Sequence, residues 1–225
     1  MNVLDNPKYS HLLKRQPFYH RIGKTLLYNW ARFIFSWYTP LKVSGKNNIP
    51  DDSFIFCSNH NAHLDVIALS LSAEKNFNNI GMLAAKDYWF DSHLRRNIMK
   101  PIMNLIPLGR QSISGKDITF NETLELSNGF MQIDKRCIII FPEGTRMPFD
   151  KSKKYGLSGA ILASETGSKI LPISHNAGKF WKRRGWIKHP GSVEFIIGKP
   201  LETRGLSLDE INAASKKWID ANVIS

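Results

Sequence analysis

Only two of the 225 residues are cysteine, acidic side chains are outnumbered 19 to 31 by lysine and arginine, and no long apolar run interrupts the chain. Each shortage excludes something. Two cysteines cannot frame a disulfide-stapled fold. Cys57 and Cys137 each adjoin a strand-like apolar run, so both read as buried free thiols, which fits a reducing cytoplasm. No internal repeat, low-complexity tract or Pro/Gly/Ser linker appears, which removes solenoids and arrays. The start, MNVLDNPKYSHLLKRQ, has neither an uninterrupted apolar core nor a small-residue cleavage site, so no secretory signal is expected. The deficit of acid leaves a formal charge of +12. Such a surface attracts nucleic acid, anionic lipid or phosphorylated substrates, and charge alone does not choose among them.

What is present is enough to make one core: 42% of the residues are hydrophobic and 22% charged, a globular composition. The nearest approach to a membrane span is TLLYNWARFIFSWYTPL at residues 25–41. It carries Asn29 and Arg32 and ends at Pro40, too short and too interrupted to cross a bilayer. Lys14, Arg15, Arg21 and Lys24 precede it, and Trp30, Phe33, Phe35, Trp37 and Tyr38 supply rings. A basic flank with an aromatic helix is the composition of a segment lying in the headgroup layer. A core-packing helix is the plainer alternative. The expected division is residues 1–40 as a membrane-associating helical segment and residues 41–225 as a catalytic domain.

Strands are expected at SFIFC, NIGMLAA, CIIIF, ILPIS and SVEFIIG, mostly continuous apolar runs suited to a sheet covered on both faces. Helical segments fall between them, at residues 65–73, 91–105, 117–134 and 157–166, with a last one at 207–221. There SLDE fits a capping box. Alternation of this kind predicts a single α/β domain with a mostly parallel, mixed sheet flanked by helices.

The chemistry concentrates in CSNHNAHLD, residues 57–65, directly after the first strand. Two imidazoles and a carboxylate within six positions could be a metal site, a base with its orienting acid, or the polar mouth of a strand. Residues five apart lie about 140° apart around an α-helix. His60 and Asp65 can therefore touch only if His60 precedes the helix and Asp65 looks back from its first turn. The spacing of Leu64, Ile67, Ala68 and Leu71 permits that, and α/β proteins place chemistry at such junctions.

Three further clusters follow. In IIIFPEGTR a buried strand runs into Glu143, Gly144, Thr145 and Arg146; the glycine permits a tight turn and the guanidinium offers a planar fork suited to phosphate. LIPLGRQS brings Arg110 to the exit of an apolar segment. ILPISHNAG contains Pro172 and His175 and leads into the basic, aromatic KFWKRRGWIKHPG. In this order, NHNAHLD, PLGR, FPEGTR and LPISHNAG resemble the four motif blocks of the glycerolipid acyltransferases, specifically the bacterial 1-acylglycerol-3-phosphate type, over most of the chain after the N-terminal segment.

The resemblance implies transfer of a fatty acyl group from acyl-CoA or acyl-carrier protein to a hydroxyl of a lysophospholipid, 1-acylglycerol 3-phosphate in the first place. The donor is itself a substrate, and no cofactor is implied. Chemistry suits the residues to the task. An alcohol attacks only as a base takes its proton, and imidazole titrates near neutrality. His60 is the expected base. Asp65 would fix its tautomer and stabilise the imidazolium. Arg110, Glu143, Gly144, Thr145, Arg146 and Pro172 are the expected acceptor-binding residues. Like charges make Glu143 a poor phosphate contact, so it should orient an arginine or accept a glycerol hydroxyl. An enzyme on such substrates should sit, monotopic or peripheral, on the cytoplasmic face of the inner membrane, against anionic lipid.

Two rivals come from other classes. His60, His63, Asp65 and His175 could ligate a metal in a hydrolase, but Val66 follows Asp65 and neither H-x3-H nor H-x-H-x-D-H is present. The interleaved charges and rings of KFWKRRGWIK could bind single-stranded nucleic acid. They serve an interfacial enzyme equally well, and no nucleic-acid partner is expected.

Overall fold

Phe54 and Phe56 turn to one side of a sheet and Ile55 and Cys57 to the other, and all four are buried. A strand covered on both faces needs no alternation of polar and apolar residues, which is why SFIFC reads as a continuous run. The structure, a computed structural model, describes residues 2–85, 100–109, 118–148, 151–181 and 189–223. Seven strands form one sheet among them: β1 Leu41–Ser44, β2 Phe54–Ser58, β3 Ile80–Ala85, β4 Leu105–Leu108, β5 Cys137–Ile140, β6 Lys169–His175 and β7 Val193–Ile197. Their order is β1-β7-β6-β2-β5-β3-β4. All neighbouring pairs are parallel except β6 with β7. The expected α/β sheet, mostly parallel and mixed, is what the chain forms.

Among the described residues five longer helices flank it: α1 Phe18–Trp37, α2 Asp65–Ser72, α3 Phe120–Met131, α4 Ser158–Thr166 and α5 Leu208–Ala221. Helices α1 and α2 pack on the Phe54 and Phe56 side; α3, α4 and α5 cover the Ile55 and Cys57 side. Ser207 and Glu210 close the expected capping box of α5, and Thr119 with Glu122 makes a second one before α3. Both cysteines are free and buried.

Two strands escape the sequence reading. β1 is four residues, LKVS, half-buried on alternate positions at one edge of the sheet. β4 is LIPL at the other edge, where Pro107 can be tolerated because an edge strand has an unpaired side. Most of the helix expected at 91–105 lies outside the described residues; within them Lys100–Met103 is helical as expected, whereas the last position, Leu105, begins β4.

Helix α1 begins directly after Pro17 and stops short of Pro40; a residue before proline avoids the helical region. Its buried face, Lys24, Tyr28, Ala31 and Phe35, keys into the domain edge-on: Tyr28 against Phe77 at 5.4 Å and Phe35 against Trp181 at 5.0 Å between ring centroids. Its opposite face carries Phe18, Ile22, Leu26, Trp30, Phe33 and Trp37, all exposed. Residues on both sides of position 40 thus share one core, and the helix offers a second apolar face outward. Among the described residues no helix is long and apolar enough to cross a membrane.

Candidate active site

β2 and β5 are adjacent and parallel, yet the helices that follow them, α2 and α4, cover opposite faces of the sheet. The chain therefore parts in opposite directions beyond their carboxyl ends and leaves a crevice there. His60 stands in the loop after β2; Phe141, Glu143, Gly144, Thr145 and Arg146 follow β5. These residues line a cavity of about 660 Å³.

Helix α2 starts at Asp65, so the carboxylate points back over the loop as the five-residue spacing requires. Asp65 is fully buried. Its Oδ2 accepts from His60 Nδ1 at 2.7 Å and from the backbone N–H groups of Asn61 at 2.9 Å and Ala62 at 3.0 Å. Burial by itself would raise this carboxyl. His175 and His60 beside it, with the Ala62 amide, outweigh that effect and hold it below the usual carboxylate range. A charged Asp65 makes His60 Nδ1 the donor and leaves Nε2 for a substrate. The His60 ring also stacks on Phe141, with centroids 3.9 Å apart and planes 16° from parallel, which fixes its orientation.

Two asparagines tie this loop to the end of β6, and sequence reasoning gave them no role. Asn59 pairs side chain to backbone with His175: its Nδ2 donates to the His175 carbonyl at 2.9 Å and its Oδ1 accepts from the His175 N–H at 3.1 Å. Asn61 Oδ1 accepts from Gly178 N–H at 2.9 Å. A primary amide on each side of His60, able to donate and accept at once, was the available signal.

Glu143 lines the cavity but is only 5% exposed, and its Oε2 accepts from the backbone N–H of His60 at 3.1 Å. Burial pushes its carboxyl up to about 7. It forms no ion pair with Arg146, and the contact it does make braces the His60 loop. Gly144 adopts φ +67°, a left-handed turn that a side chain would strain. It directs Thr145 and Arg146 to the cavity wall. Arg146 Nε is buried and has no hydrogen-bond partner among the described residues. Lys153 and Lys154, not anticipated as site residues, line the same cavity; their signal was the run KSKK. Val66, Met82, Leu83, Met103 and Leu108 add apolar side chains to the lining.

Pro172 does not line the cavity. It is buried inside β6 opposite Cys57. Its carbonyl accepts from Gly198 N–H at 2.9 Å, on the side where the ladder with β7 has ended. A residue without an N–H costs little at that gap. Arg110 lies outside the described residues, as do Lys182, Arg183, Arg184, Trp186 and Lys188 of the basic aromatic stretch. His63 is exposed on the cavity wall, and no three His, Cys, Asp or Glu side chains among the described residues are grouped to hold a metal ion.

Residues 40–176 match the Acyltransferase family. The chain is 27% identical over 202 residues to a 1-acyl-sn-glycerol-3-phosphate acyltransferase of Pseudomonas aeruginosa, covering 85% of this chain and 74% of that one. Its fold is similar to the crystal structure of the 1-acyl-sn-glycerophosphate (LPA) acyltransferase PlsC from Thermotoga maritima. The TM-score is 0.70 at 22% identity, over 96% of this chain and 84% of that one.

Proposed function

This chain belongs to the acyltransferase family, and on that premise we propose that it acylates the free hydroxyl of 1-acylglycerol 3-phosphate to give phosphatidic acid. The acyl donor is a thioester, acyl-CoA or acyl-carrier protein, and no cofactor takes part. The observation that carries the reading is the setting of His60. Its Nδ1 is locked on a buried carboxylate, and the ring borders a cavity lined by cationic and apolar side chains. A base so held removes the hydroxyl proton as oxygen attacks the thioester carbonyl, and Asp65 stabilises the imidazolium that results. The proton then passes from His60 toward the departing thiolate. Arg146, with Lys153 and Lys154, holds the acceptor's phosphate so that its hydroxyl reaches His60.

An acceptor panel tests the substrate: lysophosphatidate, lysophosphatidylethanolamine, lysophosphatidylcholine and monoacylglycerol, each with acyl-CoA and with acyl-carrier protein. Lysophosphatidate should give the highest kcat/KM. A folded enzyme that prefers a zwitterionic headgroup would overturn the choice of acceptor.

Arg146→Ala should raise KM for lysophosphatidate about tenfold to hundredfold, the worth of one or two charge-assisted hydrogen bonds, with a smaller effect on kcat. Lysine should rescue only in part, because it lacks the planar fork. Monoacylglycerol supplies the control. An equal penalty on both acceptors would mean that Arg146 does not hold the phosphate.

A lipid substrate requires a membrane-facing site, and the outer face of α1 fits that need. Trp30 and Phe33 are 62% and 65% exposed on a stripe that recurs every three or four residues. Laid in the headgroup layer on the cytoplasmic side of the inner membrane, the stripe would hold the enzyme monotopically, assisted by the net positive charge and anionic lipid. Each nearby lysine or arginine adds about 1 kcal/mol and is screened by salt, whereas the rings are not. Substituting Trp30→Ser together with Phe33→Ser should lower partition onto phosphatidylglycerol vesicles at least ~10-fold and leave melting unchanged, since neither ring packs in the core. Unaltered partition in the folded double variant would refute the docking face.

A further inference from the structure

The mechanism uses one oxygen of Asp65. Its other oxygen, Oδ1, is buried and accepts no hydrogen bond among the described residues. A buried carboxylate oxygen without a donor is costly, and a second imidazole lies close to it. His175 Nε2 is 3.8 Å from Asp65 Oδ1, and both side chains are fully buried. The surroundings settle the state of that ring. Its Nδ1 accepts from the backbone N–H of Ala177 at 3.3 Å, so the nitrogen is unprotonated. Its Nε2 lies 3.1 Å from the Asn59 carbonyl, which can only accept, so that nitrogen carries the hydrogen. The backbone of the site therefore writes a neutral, Nε2-protonated tautomer into His175.

We propose that His175 is a positioning residue for the catalytic pair: it turns its Nε2–H between the Asn59 carbonyl and Asp65 Oδ1, so that the carboxylate stands between two imidazoles. At 3.8 Å the second contact is longer than a formed hydrogen bond. Between two fully buried side chains the N–H dipole still bears on the anionic oxygen. The same ring fixes the loop. Asn59, to which it bonds, is the residue before His60, and its backbone is tied to the Asn59 side chain as well. His175 thus sets both the charge of Asp65 and the place from which His60 works, without touching substrate.

Two ionisable groups bear on His175 among the described residues. Asp65 favours its charged form and His60 opposes it; burial exceeds both and pushes the imidazole below its ordinary value. Phe195 of β7 covers the ring, with centroids 5.0 Å apart. Nothing offers a second proton a place, since Nδ1 already faces a donor. His175 is accordingly a fixed dipole and does not serve as a second base.

Removing the dipole acts on the pair in one direction. A carboxylate that loses a donor binds a proton more tightly, and a less compensated negative charge makes the neighbouring imidazolium more stable. Either route moves the acidic limb of the pH–rate profile to higher pH, the pair titrating as a unit.

The inference rests on the acyltransferase reading, and its test separates the two. In His175→Phe the acidic limb of kcat/KM should rise by about half to one pH unit, so that the ratio of kcat/KM at pH 8 to that at pH 6 widens roughly threefold to tenfold. His175→Gln, whose terminal N–H₂ can occupy the place of Nε2, should return the limb to within ~0.2 units of the unaltered enzyme. A loss of activity uniform in pH, or a limb that glutamine fails to restore, would mean that the ring only packs, and would overturn the proposal. Nitrogen NMR of the full chain labelled in histidine decides independently of turnover and of whether the phenylalanine variant folds. His175 should remain neutral and Nε2-protonated from pH 5 to 8, while the Nδ1–H tautomer or a charged ring in that range would overturn it. No transfer to any acceptor by the folded, unaltered chain would strike the functional reading and leave the tautomer result to judge His175.

Discussion

His60→Ala should lower acyl transfer at least ~1,000-fold while the protein keeps its melting temperature to within a few degrees. General-base assistance is worth roughly 10²–10⁴ in rate, and an alcohol has no other route to lose its proton as it attacks. The fold should survive because His60 belongs to a loop whose backbone is held by other groups: its N–H by Glu143, its carbonyl by Met147 N–H at 2.7 Å, and its neighbours by Asp65. What the variant loses besides the base is a stacking contact with Phe141, of order 1 kcal/mol. Acceptor KM should change little, since binding is assigned to Arg146, Lys153 and Lys154. Near-normal turnover in folded His60→Ala would remove the mechanism.

Asp65→Asn should cost about as much, ~1,000-fold or more, although it changes a single atom. The amide cannot satisfy both of its sides. With its oxygen on the Oδ2 position it keeps the His60 Nδ1–H and the two backbone N–H groups, but its nitrogen then faces His175 Nε2–H, donor against donor. Turned over, its nitrogen faces His60 Nδ1, which must become an acceptor; the ring proton moves to Nε2 and the base is lost. In both orientations the charge that stabilised the imidazolium is gone. A carboxylate-to-amide change in a related base-orienting role costs about 10⁴ through the wrong tautomer. Because Asp65 also receives three donors in a fully buried position, this variant should melt lower than His60→Ala, and the paired comparison of melting and rate separates the two effects. Full activity in Asp65→Asn would show that the carboxylate neither orients nor charges the base.

The pH response of the Glu143 contact has a definite sign. Its carboxyl is pushed up to about 7 by burial, above the ordinary value for glutamate, so folding favours the protonated form. Its contribution to stability is therefore most favourable at low pH and is lost as pH rises through the raised value near 7.

What could be read from the sequence was what is local. The His60 and Asp65 spacing is a property of a strand-to-helix junction six residues long, and helical geometry alone fixed which of the two had to precede the helix. The SLDE capping box and the central strands were equally legible, because a buried parallel strand is a bare apolar run. The edge strands were not. LKVS is short and half-buried, and Pro107 in LIPL argues against a strand until the sheet order shows that it lies at an edge. Contacts between distant segments were least visible. Asn59 and His175 are 116 positions apart, and nothing in either segment names the other. Helix α1 was ambiguous for a physical reason: it is apolar on two faces, one keyed into the core and one exposed, and composition cannot say which ring turns which way. Lys153 and Lys154 were passed over because a run of lysines ordinarily means a solvated face.

The most direct measurement follows a labelled acyl group. The purified full chain is given acyl donor labelled in the fatty chain, with and without lysophosphatidate, and both lipid products and intact protein mass are read. Direct transfer to a hydroxyl activated by His60 should place the label in phosphatidic acid only when the acceptor is present and leave the protein mass unchanged in both samples. Label accumulating on the protein without acceptor, or no labelled phosphatidic acid from a folded preparation with either donor, would contradict the account.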